Sequence, residues 1–173
     1  MCGIVGFSGD FRYQDLDSAI SAIAHRGPDD SGIFKDDLQK VGFGHTRLSI
    51  IDLSENAHQP MLSEDESIVI IFNGEIYNFK DLKLDLKNKN YNFKSQSDTE
   101  VILKLYMNEG IEFLRKLKGI FSLAIYDKNN GNIYLVRDNI GVKPIYYHQS
   151  DKGIIFSSEI KAINEFLIKN NDI

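Results

Sequence analysis

The sequence predicts a mixed α+β fold in which helices cover antiparallel sheets. Many short strand-like runs are separated by turn clusters such as DKNNGN and QSDKG, and the helical patterns are segregated from the strands instead of alternating with them. No composition shift, flexible linker or internal repeat interrupts the 173 residues, a length that suits one substantial core. We therefore predict a single domain over residues 1–173.

The first half of the chain begins with a strand and a helix. The apolar run over residues 3–8 predicts the strand, and apolar residues between positions 16 and 23 recur at helical spacing until RGPDDSG forms a loop. Three more strand-like runs follow, at residues 32–35, 41–50 and 67–72. The polar segment SENAHQP lies between the last two, and we expect a loop around Pro60.

Two helices are predicted in the middle of the chain. Phe79, Leu82 and Leu86 have the spacing of a short amphipathic helix. The pair Asp98-Thr99 is typical of a helix N-terminal cap, and Gly110 is a suitable end for the helix that follows it.

The last third of the chain predicts antiparallel hairpins and a final helix. Its strand-like runs lie at residues 120–126, 133–137, 145–148 and 153–156. Ile160, Ile163 and either Phe166 or Leu167 then share one helical face, which we expect to cover a sheet.

Composition excludes several classes of function. The chain has 25 acidic and 20 basic residues, a net charge of −5, and its basic residues are scattered, so we expect no nucleic-acid partner. No apolar run approaches the roughly 20 residues that span a bilayer, and we expect no membrane partner. One cysteine, four scattered histidines and no signal-peptide pattern predict a cytoplasmic protein without a metal site.

Cys2 is the first candidate for chemistry. Removal of Met1 would expose an α-amine on Cys2, and an amine that titrates near pH 8 can accept the proton of a thiol that titrates near 8.5. One residue would then supply both nucleophile and base. The alternative, a small buried hydrophobic residue, is favoured when Cys2 is considered alone.

Seven blocks in order resemble the glutaminase domain of glutamine-dependent asparagine synthetase, from Met1 to about Ile163: MCGIVGF, HRGPDDSG, HTRLSIIDL, HQPM, FNGEIYN, SDTEVIL and RDNIGVKPIYY. The resemblance implies the N-terminal-nucleophile hydrolase fold of class II amidotransferases, a four-layer αββα sandwich of two antiparallel sheets between helix layers. It also implies that Cys2 hydrolyses L-glutamine to glutamate and ammonia through a γ-glutamyl thioester. Some relatives in this branch amidate other acceptors, so the product stays open.

Glutamine hydrolysis needs oxyanion donors and groups that bind the charged end of the amino acid. Arg47 suits bidentate pairing with the α-carboxylate, although a surface salt bridge is the alternative. The Asn73 amide and the Gly74 N–H would form an oxyanion hole, and the alternative is a tight hairpin turn. Asp98 would receive the substrate ammonium or would only cap a helix.

The resemblance favours the substrate-binding role for each of these residues. It further implies that the glutamine pocket includes the side chain of Glu75 and the backbone of four residues: Leu48, Ser49, Ile50 and Ile51. The HRGPDDSG block, with Arg26, resembles a loop near the active site. Arg137, Asp138, Gly141 and Pro144 are expected to shape a turn between strands.

The chain lacks the SGGxDS-like pyrophosphate loop that the family's C-terminal synthetase domain carries, and it has no P-loop. ATP and magnesium would belong to that absent domain, which makes asparagine from aspartate, and the glutaminase half needs no cofactor. The expected partners are L-glutamine, an ammonia-accepting synthetase domain in cis or in trans, and a second copy in a homodimer.

Two alternatives stay open. The chain could be a glutamine-binding or regulatory module without turnover, because a retained Met1 would leave Cys2 with an amide nitrogen in place of the base. It could also be an amidotransferase domain that serves another acceptor. The terminal FLIKNNDI lacks a compact cap, as expected of a piece cut from a longer synthetase.

Overall fold

A computed structural model describes residues 1–169, so the end of the predicted domain and of the terminal FLIKNNDI lies outside the described residues. Within that range the strands are β1 (Gly3–Gly9), β2 (Asp30–Asp36), β3 (Val41–Arg47), β4 (Met61–Leu62), β5 (Ile68–Ile76), β6 (Gly119–Asp127), β7 (Asn132–Arg137), β8 (Tyr146–Ser150) and β9 (Gly153–Ser157). The helices are α1 (Tyr13–Ala22), α2 (Phe79–Asn88), α3 (Asp98–Glu109) and α4 (Ile160–Lys169). Short 3₁₀ turns lie at Ala24–Arg26, Glu55–Ala57 and Gly110–Lys116.

The strands form two antiparallel sheets. The first sheet has the order β2-β3-β1-β9-β8 and the second has the order β4-β5-β6-β7. Their facing surfaces form a buried cluster: Ile4, Val41, Phe43, Val69, Ile71, Ala124, Tyr126 and Phe156. The two sheets therefore pack face to face on a common apolar layer.

Each sheet carries a pair of helices on its outer face. Helices α1 and α4 pack on the first sheet through Phe7, Leu16 and Phe166. Helices α2 and α3 pack on the second sheet through residues such as Ile70 and Ile102. The layers run helix, sheet, sheet, helix, which confirms the predicted α+β class and the αββα sandwich.

Coverage on both faces explains the apolar character of the central strands. In β5, Ile70 faces α3 while Ile71 faces the other sheet, and neither is accessible to solvent. A strand buried on both sides reads as a continuous apolar run and not as an alternating one. The edge strand β8 is not buried in this way: it exposes Tyr147 and its sequence is partly polar.

Two strands differ in length from the prediction in ways that affect the site. β3 ends at Arg47, not at residue 50, so Leu48 and Ile50 lie in a loop and line a cavity. β5 continues beyond the apolar run to Ile76, and Asn73 and Gly74 pair with Ser122 and Phe121 of β6. The hairpin-turn alternative for Asn73-Gly74 is therefore wrong, because both residues lie inside a strand.

Two further local predictions need correction. The N-terminal cap of α3 is Ser97, whose hydroxyl accepts the Glu100 N–H at 3.3 Å, and Asp98 is the first helical residue. The polar segment around Pro60 contains the short strand β4 directly after the cis Gln59–Pro60 bond. The prediction that Gly110 ends α3 is confirmed, and Gly110 has a φ of 58°.

Asp138 holds the predicted turn between β7 and β8. Its buried carboxylate accepts backbone N–H groups from Phe121 at 3.0 Å, Ile140 at 3.0 Å and Gly141 at 2.7 Å. Burial opposes ionisation, but these donors keep the pKa of Asp138 below its usual value. The turn thus depends on one buried carboxylate.

Substitution of Phe43 tests the packing between the two sheets. Its ring is inaccessible and contacts the rings of Phe156 and Tyr126 with centroid separations of 5.5 and 6.3 Å. We expect Phe43→Ala to lower the free energy of unfolding by about 3–5 kcal/mol in urea titrations, because it leaves a cavity there. Leu38→Ala, at a side chain that is 92% exposed, should change it by no more than about 0.5 kcal/mol. A loss at Phe43 as small as that of Leu38 would contradict this packing.

Candidate active site

A cavity of about 140 Å³ lies where the start of β1, the end of β3, the edge of β5 and the start of α3 meet. All of the predicted site residues except Ser49 line it: Cys2, Arg47, Leu48, Ile50, Ile51, Asn73, Gly74, Glu75 and Asp98. The Ser49 N–H instead donates to the Asp29 carboxylate at 2.8 Å, which turns this part of the loop away from the cavity. The fold thus brings together residues that are far apart in sequence.

Cys2 is held by contacts to its thiol and to its carbonyl. The Leu48 N–H lies 3.5 Å from Sγ, and Sγ lies 3.7 Å from the Leu48 carbonyl oxygen. On the other side, Arg26 Nε donates to the Cys2 carbonyl at 2.9 Å, and Nη1 of Arg26 binds Glu159 at 2.9 Å. Burial raises the pKa of the Cys2 thiol. The thiol is therefore fixed in position but needs a base to ionise it near neutral pH.

Arg47 organises the loop that follows it. Its Nη1 donates to the Ser54 carbonyl at 3.1 Å and its Nη2 donates to the Asp52 carbonyl, so the guanidinium ties both ends of residues 48–54 together. The side chain is only 8% exposed and lies 4.0 Å from the carboxylate of Asp30. The buried guanidinium thus binds two loop carbonyls, whereas the salt-bridge alternative placed Arg47 at the surface.

The edge of β5 presents backbone N–H groups to the cavity. β4 pairs only with Val69 and Ile70, so the ladder stops before Phe72. The Phe72 N–H donates to Gln59 Oε1 at 2.7 Å, and the Ile76 N–H donates to Asp98 Oδ2 at 3.0 Å. Because N–H directions alternate along a strand, the Gly74 N–H points to the same edge, between these two.

Asn73 and Gly74 meet further requirements of an oxyanion hole. Asn73 is 1% exposed and lines the cavity. Its Nδ2 has no hydrogen-bond partner among the described residues. A buried donor without a partner costs free energy, which a ligand oxygen would recover. A Cβ on Gly74 would collide with the Ile120 carbonyl, so only glycine fits at this position.

Asp98 is a buried carboxylate at the start of α3. It is 5% exposed, and burial raises its pKa to about 6, with the neighbouring charge of Glu75 acting in the same direction. Its Oδ2 accepts the Ile76 N–H, which opposes that shift. A cationic ligand group in the cavity would restore the carboxylate form.

Several cavity residues were not among the sequence predictions: Met1, Asp52, Ala57, Gln59, Phe72, Ser97, Thr99, Ile120 and Lys143. All of them except Ala57 and Ile120 occur in the seven quoted blocks, which was the available signal. Asp52 accepts the Gln96 N–H at 2.6 Å and so joins the loop after β3 to the segment before α3.

The rest of the described chain offers few other functional features. Within residues 1–169 no group of three or more His, Cys, Asp or Glu side chains is arranged to hold a metal ion. No helix in the same range is long and apolar enough to cross a membrane.

Comparison with known proteins identifies relatives over almost the whole chain. The family model for the glutamine amidotransferase domain matches residues 1–172. Asparagine synthetase [glutamine-hydrolyzing] 2 of Bacillus subtilis is 46% identical over 94% of this chain and 22% of its own length. Asparagine synthetase [glutamine-hydrolyzing] 1 of the same organism is 43% identical over 100% of this chain and 28% of its own. Amidase chry2 of Gibberella zeae is 34% identical over 96% of this chain and 27% of its own length.

A solved structure supports the fold. Glutamine phosphoribosylpyrophosphate amidotransferase from B. subtilis, complexed with ADP and GMP, superposes with a TM-score of 0.82 at 22% identity, over 94% of this chain and 43% of that one. This similarity confirms the N-terminal-nucleophile hydrolase fold. The chain spans only about a quarter of the length of the asparagine synthetases it matches. The family match over residues 1–172 and the shared fold show that the chain belongs to the glutamine amidotransferase domain family.

Proposed function

We propose that this chain is the glutaminase part of an asparagine synthetase-like amidotransferase, with Cys2 as the nucleophile that hydrolyses L-glutamine. The observation that supports it most directly is the convergence of four groups on one cavity. They are the Cys2 thiol, the unpartnered Asn73 side-chain amide, the backbone N–H of Gly74 at the edge of β5, and the Asp98 carboxylate. These are a nucleophile, two oxyanion donors and an ammonium receptor.

The first half of the reaction forms a thioester. Once Met1 is removed, the Cys2 α-amine accepts the thiol proton, directly or through a water, and the sulfur attacks the glutamine carboxamide carbon. Asn73 Nδ2 and the Gly74 N–H donate to the oxyanion as the carbonyl bond opens. The ammonium form of the amine returns the proton to the leaving nitrogen, and ammonia departs.

The second half releases glutamate. The amine deprotonates a water, the water attacks the γ-glutamyl thioester, and the same two donors stabilise the second oxyanion before the Cys2 thiol is restored. Only acyl and proton transfers occur, so these residues supply the chemistry without a metal or an organic cofactor.

Substrate binding uses the charged side chains of the same cavity. Asp98 binds the substrate ammonium, and Arg47 binds the α-carboxylate after exchanging loop carbonyls for carboxylate oxygens. Glu75 and the backbone of residues 48–51 complete the pocket, as the family resemblance implies. Recognition of the charged end thereby positions the carboxamide at Cys2.

The ammonia passes to a synthetase domain, in cis in a longer chain or in trans, where ATP and magnesium would activate aspartate. The asparagine synthetases among the relatives support this acceptor, and the amidase chry2 keeps another acceptor open. A cytoplasmic location and a homodimer stay predictions.

A second candidate function rests on Met1. Its side chain lines the cavity and contacts Lys143, so a retained Met1 would both occupy part of the site and leave Cys2 without its amine. The chain would then bind glutamine weakly or act as a regulatory module. Intact mass of the purified protein decides between the two, because loss of one methionine supports the enzyme.

Substitution of the nucleophile is the first test. Cys2→Ala and Cys2→Ser should reduce glutamate release to background, because Cys2 is the chain's only cysteine. Mass spectrometry of the wild-type protein quenched during turnover should show a γ-glutamyl adduct on the peptide that contains Cys2. Glutamate release that survives Cys2→Ala, with the fold intact by circular dichroism, would refute the proposed mechanism.

Substitution of Asn73 tests the oxyanion hole. We expect Asn73→Ala to lower kcat about 10²–10³-fold with a much smaller change in KM, since the lost bond forms mainly in the transition state. Asn129→Ala, in the exposed β6–β7 turn, is the matched control and should keep wild-type kinetics. An equal, small effect of both variants would show that Asn73 is not an oxyanion donor.

The pH dependence of glutamine binding tests Asp98. Only the carboxylate pairs with the substrate ammonium, and burial raises the Asp98 pKa to about 6, so the glutamine Kd of Cys2→Ala should rise about tenfold per pH unit below pH 6 and level off above it. Asp98→Asn in the same background should bind weakly at every pH and lose this dependence. Calorimetry between pH 5 and 8 measures both, and a flat profile for the Asp98-containing protein would contradict the assignment.

A further inference from the structure

We propose that Gln59 is a positioning residue that holds the Asn73-Gly74 segment of β5 at a set distance from Asp98. This inference rests on the proposed glutaminase function and adds Gln59 to the residues that support it. Gln59 lines the cavity, but its side chain acts through the neighbouring backbone.

Both ends of the Gln59 amide are occupied. The side chain is 5% exposed, Oε1 accepts the Phe72 N–H at 2.7 Å, and Nε2 donates to Thr99 Oγ1 at 3.2 Å. Gln59 thus joins the strand that carries the oxyanion donors to the helix that begins with Asp98. Because the β4–β5 ladder stops at Ile70, this amide takes the place of a missing strand partner.

A second side chain fixes the carbonyl of the same residue. Nε2 of His45 lies 3.1 Å from the Phe72 carbonyl oxygen, and His45 has no solvent exposure. Burial lowers the pKa of His45 to about 4, so the ring is neutral and donates from Nε2. Phe72, directly before Asn73, therefore has its N–H and its carbonyl bound by two buried side chains.

The other end of the segment is tied to the same helix. The Ile76 N–H donates to Asp98 Oδ2, and Asp98 and Thr99 are consecutive residues of α3. Residues 73–75 are therefore held between two bonds to one helix end, and the Gln59 bridge is the one nearer to Asn73. Loss of this bridge would let the oxyanion donors shift relative to Asp98.

Such a shift affects some reactions of Cys2 and not others. Misplacement of a catalytic group by about 1 Å can cost about 10²-fold in rate. Acylation by glutamine passes through an oxyanion, whereas alkylation of the thiol by iodoacetamide displaces iodide from carbon and forms none. The two reactions therefore separate a displaced oxyanion hole from a damaged nucleophile.

The primary test is Gln59→Met, which keeps the length of the side chain and removes both hydrogen bonds. We expect kcat for glutamine to fall about 10–100-fold, with KM and the rate of Cys2 alkylation by iodoacetamide each within about threefold of the wild type. Gln14→Met, at an exposed position of α1, is the matched control and should leave all three unchanged.

Thr99→Val is the second variant, and it decides the question if Gln59→Met does not fold. It keeps the shape of Thr99 and removes only the oxygen that receives the Gln59 amide, so kcat should fall about 3–10-fold with normal alkylation. An unchanged kcat in a folded Gln59→Met would overturn the inference. If Gln59→Met does not fold, an unchanged kcat in Thr99→Val would overturn it instead. Parallel losses of kcat and of the alkylation rate in either folded variant would also overturn it. A wild type with its α-amine free that releases no glutamate would instead overturn the proposed function, and this inference with it.

Discussion

The candidate active site depends on where one antiparallel ladder stops. β4 pairs with β5 only at Val69 and Ile70, while β5 runs on to Ile76 along β6. Beyond Ile70, one edge of a buried strand has backbone groups that need partners other than a strand. Side chains from three different elements provide them, and the remaining stretch of edge faces the cavity. A shorter β5 or a longer β4 would leave no backbone donor for a substrate oxygen.

Burial controls the charge of the groups around this edge. It raises the pKa of the Cys2 thiol, raises that of Asp98 to about 6 and lowers that of His45 to about 4. All three shifts favour the neutral form of the buried group. The charged end of an amino acid would change this balance, because its ammonium stabilises the carboxylate of Asp98. Substrate binding and the charge of Asp98 are therefore linked.

The sequence predicted the layers and half of the cavity residues because the apolar runs and the ordered blocks are local signals. Cys2, Asn73 and Asp98 each stand in such a block, and the fold places all three at one cavity. The Gln59 bridge was not predictable in this way, since it joins positions separated by 13 and 40 residues. The full length of β5 was missed because its pairing with β6, and not local propensity, defines it. The Ser97 cap is a local bond to the Glu100 N–H, and it was missed because the adjacent Asp98 is an equally suitable cap residue.

The contacts of Cys2 have a consequence for the order of events during synthesis. Arg26 links the Cys2 carbonyl to Glu159, and β1 pairs with β9, in which Val5 opposes Ser157. The first strand therefore cannot reach its final surroundings until almost the whole domain has left the ribosome. Until then the N-terminal strand lacks its partner β9. An aminopeptidase that removes Met1 has its best opportunity on the nascent chain, before β9 and Glu159 have been translated.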